Sequence, residues 1–161
     1  MNGFSKIALA VTGSLVLAST VLAQGAPPTP EQQAQAAVKT RQGLFQVIAF
    51  SFGPAGAQLR PGAPAPDAAA IGKAAERLQV LSPLISEVFA KDTHGVAGVT
   101  TKARDAIWTS KSDFDAKAAD LTKAAADLEA AAKSGDAGAI KKAAGGVGKS
   151  CGACHDQFRD K

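Results

Sequence analysis

Both cysteines of this 161-residue chain stand in one short run, Cys151-Gly152-Ala153-Cys154-His155. Two residues between the thiols, followed at once by a histidine, form the attachment signature of a covalently bound c-type haem. Each thiol adds across a vinyl group of the porphyrin, and the imidazole supplies an axial nitrogen to iron. On a helix, positions 151, 154 and 155 fall within one turn on one face, so both sulfurs and the ring can meet one macrocycle. The motif therefore asks for a helix here, with one face given to a cofactor. Disulfide exchange and zinc remain as alternatives. A thioredoxin-like pair needs a βαβ context that the chain does not show. A zinc site needs further ligands, and His94 is the one other histidine.

Residues 1–23 read as an export signal. Lys6 supplies the positive start, Ile7 to Leu17 is apolar, and Val21-Leu22-Ala23 resembles a small-residue cleavage site. The apolar stretch is short for a membrane span. The expected mature protein is residues 24–161, one domain in the periplasm, with no membrane segment. The 18 basic and 14 acidic residues give a net charge of +4. They are interleaved, without the polybasic run of a nucleic-acid surface.

Four amphipathic helices are expected. Thr29-Pro30-Glu31-Gln32 is a helix start with a threonine cap, proline at the first helical position, and glutamine three residues after the cap. The first helix is expected over about residues 30–52, stopped by Gly53-Pro54, with Ala34, Val38, Phe45, Ile48 and Phe52 as its apolar stripe. A Pro- and Gly-rich crossover follows to Pro66. Asp67 caps a second helix to about Lys91, with a kink or late first turn at Pro83. The stretch from Asp92 to Ser110 reads as loop, anchored by Ile107-Trp108. The third helix spans about residues 111–133, and the fourth about residues 136–160. The fourth helix repeats apolar residues at Ile140, Ala144, Val147, Cys151, Cys154 and Phe158. An alanine-rich chain of this pattern, with no strand signal, is all-α: an antiparallel four-helix bundle enclosing the haem.

His155 is the expected proximal iron ligand. The opposite axial position is constrained by what the chain lacks. Met1 is the sole methionine, it falls in the signal, and there is no tyrosine. Methionine ligation is thereby removed from the mature protein. His94 sits in a glycine-containing loop and reads as a solvated residue, so the expected iron is five-coordinate. Arg41 lies on the first helix's apolar stripe and needs an anionic partner if buried, which a haem propionate would supply. Phe45, one turn on, reaches inward over the iron. Arg159, four residues after His155, flanks the proximal side.

These residues together resemble the cytochrome c′ family, the class II c-type cytochromes. The resemblance rests on the Cys-x-x-Cys-His run near the C-terminus, Phe158-Arg159 just after it, Arg41-Gln42 with Phe45 on helix one, and the four-helix layout. It implies a periplasmic, usually dimeric bundle with one covalent haem c, high-spin and five-coordinate, that binds nitric oxide and carbon monoxide. By position, Cys151 and Cys154 would hold the haem and His155 would ligate it. Arg41 and Gln42 resemble the propionate-side pair, Phe45 the distal residue, and Arg159 the basic residue on the proximal face. The distal residue is often leucine in the family, and phenylalanine departs from that while staying apolar.

Three functions compete. Gas binding follows from a missing sixth ligand and an apolar distal pocket. Electron transfer to a periplasmic redox partner follows from iron in a basic bundle, and a sixth ligand from His94 would favour it. Peroxidase activity lacks a distal acid or base, and the chain is not read as an enzyme.

Overall fold

The structure, a computed structural model, describes residues 26–60 and 62–161; the export signal expected over residues 1–23 lies outside them. Six helices follow in order: α1 (Pro30–Gln58), α2 (Ala68–Leu81), α3 (Pro83–Val88), α4 (Ala106–Thr109), α5 (Lys111–Ser134) and α6 (Ala137–Phe158). The chain folds as an antiparallel four-helix bundle, in which α3 prolongs α2 and the short α4 leads into α5. No helix among the described residues is long and apolar enough to cross a membrane.

α1 begins on a complete capping box. The Thr29 hydroxyl accepts from Gln32 N–H at 3.2 Å, and the Gln32 side chain accepts from Thr29 N–H at 2.9 Å. Its end differs from expectation, because the helix passes through Gly53-Pro54 and continues to Gln58. Pro54 removes one N–H and so releases the carbonyl of Phe50, but both residues are exposed and water can take that oxygen. Beyond the break, Ala55 is buried and Gln58 Oε1 accepts from Asp67 N–H at 2.8 Å. The crossover is correspondingly shorter, residues 59–67. Of the expected stripe, Ala34 and Val38 are buried and Ile48 and Phe52 pack half-buried against the core, joined by the buried Arg41, Ser51 and Ala55, whereas Phe45 lies at the edge, 37% exposed.

At Pro83 the second helix divides in two, with Pro83 in the first turn of a new helix. Ser82 stays in the αR region and closes α2 through its N–H to Leu78 O, and Pro83 then opens α3. α3 stops at Val88, three residues before the expected end. Gly135 in the left-handed region (φ 71°) ends α5, and Asp136 caps α6 through Ala139 N–H. α6 ends at Phe158 because Arg159 is extended (φ −127°, ψ 133°) and pairs with Ala103 as an isolated antiparallel bridge.

The core lies where α2, α5 and α6 meet. Ile71 and Leu78, Leu128, and Ile140 and Val147 are fully buried there, with Ala75, Ala125 and Ala144 at seam positions that let the axes approach. Each large side chain contributes about 1.5–3 kcal/mol by burial. Close packing joins α2 to α5, α5 to α6 and α1 to α2; the edge between α1 and α6 is looser.

Candidate haem site

Cys151, Cys154 and His155 lie on the last two turns of α6, all half-buried. Both cysteines pack against the hydrophobic core, and neither is in a disulfide. Burial pushes both thiols up from their usual value. The neighbouring Cys151 adds to that at Cys154, while Lys117 opposes it. The His155 imidazole is held below its usual range, first by burial and then by Arg159, with Asp156 opposing. It is thus kept neutral, the form that can ligate a metal.

No three His, Cys, Asp or Glu side chains among the described residues are grouped as ligands for a single metal ion. The set fits a flat macrocycle attached along a helix: two neutral thiols one turn apart and an adjacent neutral imidazole. It lies on α6, which is only loosely joined to α1.

Arg41 is buried at 3% exposure, and its partners are oxygens of the protein itself. Nε donates to Val88 O at 3.0 Å, Nη1 to Thr93 Oγ1 at 2.7 Å and Nη2 to Lys91 O at 2.7 Å. The sequence had pointed to an anionic partner. The acceptors are instead Val88 O at the end of α3, and Lys91 O and the Thr93 hydroxyl in the loop that follows. Burial lowers the Arg41 pKa, and the charge of Asp92 opposes that. Three of the five guanidinium N–H groups are used, which leaves two for a further acceptor.

Gln42 is exposed beside Arg41, and Arg159 is exposed beyond the end of α6. Phe45 sits with its ring centroid 6.3 Å from Phe89. From Phe89 the aromatic contacts run to Phe114 (5.0 Å) and from Phe114 to Phe158 (5.2 Å), so the α1 candidates and the α6 candidates are joined through the core. His94 lies exposed in a turn, its N–H on Asp92 Oδ1 at 2.7 Å. Sequence reasoning missed Phe89 and Thr93, which complete the Arg41 site. It did single out Trp108, whose indole N–H holds Phe89 O at 2.9 Å.

The family model for cytochrome c′ matches residues 36–159. Among solved structures, a cytochrome c′ from Rhodobacter spheriodes is 36% identical, covering 80% of this chain and 98% of its own, with a TM-score of 0.70. A ferrous variant of cytochrome c prime from Alcaligenes xylosoxidans with bound NO is 35% identical, covering 84% and 98%, with a TM-score of 0.67. A carbon monoxide-bound variant of that protein is also 35% identical, covering 83% and 98%, with a TM-score of 0.65. No curated protein sequence matches the chain. A bundle with a haem-attachment helix, matched over nearly all its described length, belongs to the cytochrome c′ family, whose members carry one covalently attached c-type haem.

Proposed function

We propose that this protein is an exported, periplasmic haem protein whose iron is bound by His155 alone and takes up nitric oxide or carbon monoxide on the opposite side. Cys151 and Cys154 attach the porphyrin as thioethers, and the haem supplies an iron with one open axial position. Arg41 offers its two remaining N–H groups to a propionate, with Gln42 beside it. Phe45 lies on the distal side and Arg159 on the proximal side. The observation that carries this reading is the apolar Phe45 at that position: a phenyl ring neither ligates iron nor donates a hydrogen bond to bound oxygen. The relatives in complex with NO and CO support the same ligand class.

Visible absorption and resonance Raman spectra of the ferric and ferrous protein test it. The expected result is covalent haem with high-spin, five-coordinate iron, and a Soret shift when NO meets the ferrous form. A colourless protein, or a strong-field sixth ligand in both oxidation states, overturns it.

Electron transfer is a second reading, favoured by the exposed Lys141, Lys142 and Lys149 on α6, with no acidic residue between Ala137 and His155. Rapid electron exchange with an acidic partner would support it. We also propose a homodimer formed by the α1–α2 face. Val47, Phe50 and Val80 are exposed there, as is Leu84 on α3, and a groove on that face is lined by Val47, Ser51, Glu76, Arg77, Val80 and Leu81.

A further inference from the structure

An α-helix leaves its last four carbonyls without helical partners. In α6 these belong to His155, Asp156, Gln157 and Phe158. His155 O accepts from Arg159 N–H at 3.1 Å. The other three all go to one residue some fifty positions earlier: Arg104 Nη1 donates to Asp156 O at 3.1 Å and Gln157 O at 3.3 Å, and Arg104 N–H donates to Phe158 O at 3.1 Å. The guanidinium also pairs with Asp160 through Nε at 2.9 Å, and Asp160 N–H returns to Lys102 O at 2.9 Å. Arg104 is itself anchored, since its carbonyl accepts from the N–H of Ile107, which is 2% exposed.

We propose that Arg104 is a positioning residue for the proximal side of the site. It acts through the last turn of α6, fixing the direction of the His155 ring and the path of the chain to Arg159. A helix end without such partners frays within its last turn. His155 stands three residues from the end of α6, inside the turn that would open. A frayed turn lets the imidazole swing relative to the two cysteine positions, whereas a capped one holds it. The cation also sits where the helix dipole is negative, which favours the contact. The inference rests on His155 as the iron ligand.

The test uses the holoprotein, Arg104→Ala and Asp160→Asn. Two quantities are read: the iron–imidazole stretching band of the ferrous form, and amide exchange in the peptide covering residues 156–161. Arg104→Ala should shift or broaden the band and speed exchange tenfold or more. Asp160→Asn loses the ion pair but keeps the carbonyl bonds, so its band should stay in place. An unchanged band in Arg104→Ala overturns the proposal, as does an equal shift in Asp160→Asn. Should Arg104→Ala fail to fold, Arg104→Lys takes its place, because an ammonium cannot hold both carbonyls and Asp160 in a fork, and an unchanged band and exchange rate there overturn the proposal as well. If the unaltered protein shows no iron–imidazole band at all, the His155 reading itself falls, and the proximal role with it; a band present but insensitive to Arg104 removes this inference alone.

Discussion

The Arg41 guanidinium lies over the Phe89 ring, 4.5 Å from its centroid, and 5.2 Å from the ring of Trp108. The same group ties α1 to the end of α3 through Val88 O, and to the loop that follows through Lys91 O and Thr93 Oγ1. A buried cation is tolerated here because its charge is spread over a plane that fits aromatic faces and its edges meet oxygens.

Arg41→Ala should therefore destabilise the holoprotein strongly in urea unfolding. It strands the buried Thr93 hydroxyl, at a cost of about 1–3 kcal/mol, together with two part-buried carbonyls that water can reach. Arg41→Lys should recover only a small part of the loss, because an ammonium is a point donor that cannot reach three oxygens in a fork. Equal stability of the lysine variant and the unaltered protein would contradict this account.

Ser82 and Thr122 join α2 to α5 by a hydroxyl pair at 2.7 Å, with Ser82 fully buried. Thr122 also donates to Ala118 O at 3.2 Å, so it keeps a partner when Ser82 is removed. Ser82→Ala should cost about 1 kcal/mol, and Thr122→Val more, because it leaves the buried Ser82 hydroxyl without its cross-helix partner. The double variant should be less destabilised than the sum of the two, and a double-mutant cycle in urea measures the coupling. Strict additivity would show that the pair does not act as a unit.

What the sequence made legible was what is encoded locally. Thr29-Pro30-Glu31-Gln32, Asp67 and Gly135-Asp136 announce helix ends within four residues, and α1, α2 and α6 begin where they say. The helix seams of α5 and α6 were equally plain, because Phe114 to Ala132 and Ile140 to Phe158 repeat at steps of four and three. The errors fell where a distant group decides. Gly53-Pro54 reads as a stop, yet the buried Ala55 and the Gln58 contact to Asp67 hold another turn. α3 ends at Val88, whose carbonyl accepts from Arg41, some fifty residues before. At the candidate site, Cys151, Cys154 and His155 are visible as a contiguous motif. Thr93 and Arg104 are not, since each acquires its role only through a contact with a residue far along the chain.

Asp115 gives a pH dependence with a definite sign. Hydrogen bonds from Lys111 and then Ser86 hold its carboxyl below the ordinary value of 3.8, against a smaller effect of burial. The folded state therefore binds this proton more weakly than the unfolded chain does. The pair stabilises above pH 3.8, and that contribution is lost as the pH falls through the lower folded value. Both side chains are a third or more exposed, so solvent screening keeps the effect under about 1 kcal/mol. In acid titrations of unfolding, Asp115→Asn should flatten the slope below pH 3.8 and be slightly less stable at pH 7. An unchanged acid slope would show that this carboxylate is not held by its neighbours.

Phe50 is the most exposed large apolar side chain on the α1–α2 face, at 79%, with Val80 at 71% and Val47 at 48% beside it. None of the three belongs to the core, so removing them sacrifices little within one protomer. Buried between two copies, an aromatic ring flanked by aliphatics is the kind of anchor that carries most of an interface's free energy. If that face is the interface, Phe50→Glu places two like charges in it. Sedimentation equilibrium should then show a dimer for the unaltered protein and a monomer for the variant, with unchanged helical content by circular dichroism. The variant should also keep its haem spectrum, because Cys151, Cys154 and His155 lie on α6, away from this face. A dimer that survives Phe50→Glu together with Val80→Glu would remove the α1–α2 face as the interface.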